Sequence, residues 1–119
     1  LETALYCPKN YNKDKVYCLG ISKETKPIAA ISLLEDYPRS GILYIGLLLI
    51  DENSQRKGIG SVIMSVILKA SKGLFDSIQF SVQNNNLGAL QFWGKQGFII
   101  DEVAINKETD NLPMRKMII

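Results

Sequence analysis

The chain contains no histidine, and it has only two cysteines, four prolines and one tryptophan. Without histidine there can be no Ser-His-Asp or Cys-His nucleophilic site and none of the common His-containing zinc sites. Cys7 and Cys18 alone do not make the stapled scaffold of a small secreted protein; they read as free thiols of a cytoplasmic protein with no metal. An excess of one charge is also missing: 14 Lys and Arg against 12 Asp and Glu leave a net charge of +2. No basic stripe of the kind a nucleic-acid binder displays is present. The longest apolar run, Ile42 to Ile50, is interrupted by Gly46 and is far too short to span a bilayer. The N-terminus lacks the basic start and long apolar stretch of a signal peptide. Neither nucleic acid nor a membrane is expected as a partner.

What is present is an ordinary globular composition, 46% hydrophobic and 22% charged over 119 residues, enough for one domain spanning 1–119. The first fifteen residues read as coil. Val16 to Ile21 and Ile28 to Leu34 read as two strands around the polar turn "SKETKP", and so as an antiparallel hairpin. Ile42 to Ile50 reads as a central strand covered on both faces. Gly46 in its middle marks a bulge or a close backbone approach. From Gly58 the period changes: Ile59, Val62, Ile63, Val66, Ile67 and Ala70 form one helical stripe, which stops at Gly73. Ile78, Phe80 and Val82 alternate with Gln79, Ser81 and Gln83 as in a half-buried strand. Asn86 caps a second, shorter helix carrying Ala89, Leu90 and Trp93 on one face and ending at Gly97. Phe98 to Ile105 and Leu112 to Ile119 read as two final strands. The order β-β-β-α-β-α-β-β predicts an α/β (α+β) domain built on a mixed, mostly antiparallel sheet.

The chemistry concentrates where the third strand hands over to the first helix, at "SQRKGIGS". The first N–H groups of a helix lack intrahelical partners and sit at the positive end of its dipole, so this turn suits an anion. Arg56 and Lys57 add cations at the same mouth. A tight turn with no ligand is the competing reading. The spacing is not that of a P-loop, and a dinucleotide fingerprint would need glycine at Ile63.

Gln55-Arg56-Lys57-Gly58-Ile59-Gly60 resembles the Gln/Arg-x-x-Gly-x-Gly/Ala signature of the GNAT N-acetyltransferases. "LLIDENSQRKGIG" is similar to the strand and turn that lead into that motif, although Glu52 stands where proline is usual. Downstream, Asn86, Ala89, Trp93, Gly97 and Phe98 resemble the family's Asn-x-x-Ala…Tyr/Trp-x-x-x-Gly-Phe segment. The likeness covers roughly residues 16 to 119.

The resemblance implies a GNAT-like fold with helices on both faces of the sheet. It implies acetyl-coenzyme A as co-substrate, with the pyrophosphate on backbone amides of Gln55, Arg56, Lys57, Gly58, Ile59, Gly60 and Ser61. The pantetheine arm would lie beside Leu48, Leu49 and Ile50, with Asn86 and Trp93 nearby. The acceptor would be a primary amine, on a small molecule or a protein, and a homodimer is compatible with the sheet edges. Three departures follow. Trp93 replaces the tyrosine that many relatives use to protonate sulfur, and indole is no acid near neutral pH; Trp93 packs either on the cofactor or in the core. Gly46 and Leu47 stand where many relatives carry a carboxylate, which leaves Tyr44, Glu35 and Asp36 as candidates by inventory only. Only fifteen residues precede Val16, so the family's N-terminal helices are expected to be missing. A coenzyme A-binding regulatory or interaction module with weak catalysis is the alternative to an N-acetyltransferase.

Overall fold

The computed structural model describes residues 15–54 and 58–118. Its elements are β1 (Val16–Lys23), β2 (Lys26–Glu35), β3 (Ile42–Ile50), α1 (Ile59–Ser71), β4 (Ser77–Gln83), α2 (Leu87–Lys95), β5 (Ile99–Ile100) and β6 (Asn111–Met117). They form a six-stranded sheet in the order β1-β2-β3-β4-β6-β5. Only the β3–β4 pair is parallel, bridged by α1, so the fold is the mixed, mostly antiparallel α+β arrangement expected. The expected coil over the first fifteen residues lies outside the described residues, apart from Lys15 in a single helical turn.

The hairpin is tighter than the polar composition suggested. Lys23 pairs with Lys26, and Glu24 and Thr25 both take left-handed conformations, φ 55° and 80°. A two-residue turn with positive φ at both positions matches strand twist, so the ladder runs on through residues expected to be loop.

Alternation decides the faces. Ala29, Ile31, Leu43, Ile45, Ile78, Phe80, Val82, Met114 and Ile118 share one core cluster with Ile63, Met64 and Ile67 of α1 and Trp93 of α2. Of the helices expected on both faces, the two described ones therefore lie on the same face.

The inward stripe of α1 is rotated from the expected one. Gly60, Ile63, Met64, Ile67 and Ser71 are buried, whereas Val62 and Val66 are 64% and 62% exposed. Gly60 is the reason: a Cβ there would come within 2.9 Å of the Phe92 ring and 3.3 Å of Ile50 Cδ1. The helix backbone is pressed onto these two side chains at its first turn, and that contact sets which residues face inward. The C-terminal end is as expected, with Gly73 at φ 84° just beyond Ser71.

The strand expected over Phe98 to Ile105 is cut to Ile99–Ile100, followed by a short 3₁₀ turn at Glu102–Ala104. Asp101 N–H donates to the Pro113 carbonyl at 2.9 Å. Proline has no N–H to return to Asp101, so the ladder ends at that row. Val103 is 98% exposed as a result. β6 stops at Met117 rather than Ile119, and Ile119 lies outside the described residues.

Candidate active site

The site begins with an interruption in pairing. β3 and β4 are in register only at Ile42↔Ser77, Leu43↔Ile78 and Tyr44↔Gln79. Both strands continue beyond that row, to Ile50 and Gln83, without pairing. On the other edge of β3, Ser32 pairs with Leu47 and Leu33 with Ile45, so Gly46 is the extra residue of a β-bulge. A bulge bends its strand and resets its alternation. Past Gly46, β3 leaves β4 and a wedge opens between them.

Two connected hollows fill that wedge. The inner one, about 240 Å³, is lined by Ile45, Gly46, Leu47 and Leu48 of β3 and by Phe80, Ser81, Val82 and Gln83 of β4. The outer one, about 620 Å³, runs from Leu48 and Ile50 to Gly58, Ile59, Gly60 and Ser61 at the start of α1, and across to Gly88 and Phe92 of α2. Leu48, Asn86, Ala89 and Trp93 line both. The cleft is thus an apolar slot with backbone amides at its inner end and a helix N-terminus at its mouth.

The mouth is built from backbone. Gly58 caps α1 in a left-handed conformation, φ 77°, and as a glycine gives no side-chain bond to the first-turn amides. Its substitution is opposed by conformation alone, since nothing lies within 4 Å of where a Cβ would be. Gly60, in contrast, is required by packing. Across the mouth, Asn86 Oδ1 accepts the Ala89 N–H at 3.0 Å and starts α2. Asn86 also lines both hollows.

Of the residues expected to hold a coenzyme A thioester, Leu48, Ile50, Gly58, Ile59, Gly60, Ser61, Asn86 and Trp93 line the cleft. Gln55, Arg56 and Lys57 lie outside the described residues. Leu49 pairs with Ala30 and turns its half-exposed side chain to the face opposite the helices, so only its backbone can border the slot. Sequence reasoning does not single out Phe92, Gly88, Ser81 or the neighbours of Gly46. Only the Gly46 interruption hints at them, because a splay between parallel strands has no period of its own.

Trp93 is 7% exposed and sits in an aromatic cluster, with ring centroids 4.2 Å from Phe80, 4.9 Å from Phe92 and 5.3 Å from Phe98. Trp93 is part of the core and also lines both hollows. Tyr44 lies at the last paired row, on the face away from the helices, edge-on to Tyr37 at 5.0 Å. It does not line the cleft; its hydroxyl lies 3.4 Å from Ser81 Oγ, which does. Asp36 accepts the Gly41 N–H at 2.9 Å and pairs with Lys15 at 3.4 Å. The Gly41 bond above all, with help from Lys15, holds its carboxyl below the usual range. Glu35 accepts the Tyr17 hydroxyl, and this bond raises the Tyr17 pKa. Both carboxylates are therefore engaged at the closed end of the sheet. No titratable side chain lines either hollow among the described residues, and no three His, Cys, Asp or Glu gather there to hold a metal ion. No described helix is long and apolar enough to cross a membrane.

The site is thus a splayed parallel pair, bulged on one strand and closed by a glycine-started helix. The model of the acetyltransferase (GNAT) family matches residues 2–98, and the chain belongs to that family of acetyl-coenzyme A-dependent N-acetyltransferases. Solved structures agree on the fold. An acetyltransferase from Thermus thermophilus is 18% identical, with a TM-score of 0.77 over 88% of this chain and 66% of that one. The ribosomal-protein-S18-alanine N-acetyltransferase of Escherichia coli is 13% identical, with a TM-score of 0.72 over 90% of this chain and 72% of that one. A Bacillus subtilis acetyltransferase in complex with CoA is 20% identical, with a TM-score of 0.68 over 88% and 78%. No curated protein matches the sequence at a significant level.

Proposed function

We propose that this protein transfers an acetyl group from acetyl-coenzyme A to a primary amine, with the thioester carried in the β3–β4 wedge. The carrying observation is that β4 stops pairing with β3 beyond Tyr44, where β3 bulges at Gly46 and leads to the glycine-started first turn of α1. The pantetheine arm is peptide-like, so it can lie along strand amides and carbonyls that β4 does not pair, as an added strand would. The amides at Gly58 to Ser61 and the helix dipole suit its pyrophosphate, and Gln55, Arg56 and Lys57 are assigned to the same cradle from sequence.

Acetyl-coenzyme A supplies the activated acyl carbon. The chain contributes placement, a dry apolar wall of Leu48, Ala89, Phe80 and Trp93, and a β3 backbone N–H as oxyanion donor. No side chain in the described cleft can take a proton from the amine, so the acceptor enters as the free base and the rate rises with its unprotonated fraction. Neither Tyr44 nor Trp93 is given a proton-transfer role. The acceptor is a small-molecule amine or a protein amino group; the Escherichia coli neighbour, by its name, acts on an alanine of a ribosomal protein.

The absence of titratable groups in the described cleft also favours a second reading, a coenzyme A-binding module with weak turnover. Calorimetric titration with acetyl-coenzyme A, followed by thiol release over an amine panel at rising pH, separates the two. Binding with thiol release that climbs with pH is the expected result. Binding without release from any amine supports the module, and no binding at millimolar donor overturns both.

A further inference from the structure

The two helices that flank the cleft are joined by one polar strut. Gln96 Nε2 donates to Ser61 Oγ at 2.9 Å, from the C-terminal end of α2 to the first turn of α1. Gln96 is itself fixed: its N–H is shared among the last carbonyls of α2, and its carbonyl accepts Lys116 Nζ at 2.8 Å. Lys116 can reach it because Gly97 has no side chain; a Cβ there would meet Nζ at 3.0 Å. A rigid line therefore runs from β6 through the end of α2 to Ser61, which lines the cleft mouth beside Gly60.

The direction of this bond matters. An amide NH₂ can only donate, so Ser61 Oγ accepts and its own proton must point elsewhere. Ser71, at the other end of α1, gives its proton to the Ile67 carbonyl at 2.6 Å, as a serine inside a helix does. Ser61, in the first turn, donates to no described residue. We infer that Gln96 is a positioning residue for the acyl donor: it orients the Ser61 hydroxyl as a phosphate donor. This rests on the transferase reading above.

The test compares Gln96→Leu, Ser61→Ala and the double variant by titration with coenzyme A, and by turnover with acetyl-coenzyme A and with S-acetylpantetheine, which lacks the pyrophosphate. Loss of a charge-assisted hydrogen bond should weaken coenzyme A binding about tenfold in each single variant and no further in the double. In Gln96→Leu the donor KM should rise with kcat unchanged, and S-acetylpantetheine turnover should stay at the wild-type level. Gln96→Glu, which can only accept, should take the Ser61 proton and bind worse than Gln96→Leu. Additive losses, an equal loss with S-acetylpantetheine, or unchanged affinity would overturn the inference alone. Absence of coenzyme A binding by the wild type overturns the transferase reading, and this inference with it. Ser61 is exposed, so Ser61→Ala keeps the fold if Gln96→Leu does not.

Discussion

The two halves of β3 share one strand and behave oppositely. From Ile42 to Tyr44 it is sealed on both edges, Ile42 and Leu43 are buried, and the neighbouring Asp36 ties down the loop that enters it. From Ile45 to Ile50 it keeps β2 and gives up β4. The first half is held by β4 as well as β2; the second is not paired by β4, an arrangement that becomes favourable when a guest takes the place of that strand. One residue, Gly46, separates a piece of scaffold from a binding edge.

Deleting Gly46 breaks the comparison outright. Leu47 then follows Ile45 directly, the pairing Leu33–Ile45, Ser32–Leu47, Ile31–Leu48 becomes unbroken, and Leu48 and Ile50 keep their face while the strand loses its bend. We expect donor binding by calorimetry to vanish while the same apolar side chains stay in the core and a denaturant titration shows the fold intact. Retained binding would mean that the bulge does not open the wedge.

Trp93 supports the open half from beneath, so Trp93→Ala should cost about 3–5 kcal/mol in a denaturant titration. Trp93→Phe keeps a ring and removes only the indole N–H, a group that is no acid near neutral pH; turnover should stay within about twofold. A large drop in kcat with intact stability would give the indole a catalytic role.

The two glycines at the mouth sharpen the contrast further. Gly60→Ala drives a methyl against Phe92 and Ile50 and should cost about 1–3 kcal/mol, partly recovered in the Gly60→Ala/Phe92→Leu pair. Gly58→Ala meets no atom and should cost about 1 kcal/mol from its left-handed backbone, with no recovery by Phe92→Leu. Equal rescue of both would show that a common displacement of α1, and not two separate constraints, explains the pair.

The smallest effect belongs to the closed half. The Asp36 carboxyl is held below its ordinary value of 3.8, so it stabilises the fold fully above that pH, and this contribution is lost as pH falls through the lower folded value. Asp36→Asn should flatten that acid limb in thermal melts while leaving donor binding at neutral pH unchanged. A change in binding would connect the two halves after all.

Residue type and spacing alone determined the element order, because periods of two and near four are written directly in Ile78–Phe80–Val82 and Ile59–Ile63–Ile67. They also determined the capping of α2 by Asn86, the ends at Gly73 and Gly97, and the family, through glycines and an asparagine whose roles are local. Tertiary structure decided the rest. The two-residue turn at Glu24 and Thr25 follows from strand twist, and the short β5 from one absent N–H at Pro113. The rotation of α1, which left Val62 and Val66 outside, follows from a contact between Gly60 and a ring 32 positions away. The wedge itself is a relation between two strands, of which only β3 carries a mark in sequence, at Gly46. Its opening depends on where they stop pairing, and only their three-dimensional arrangement fixes that.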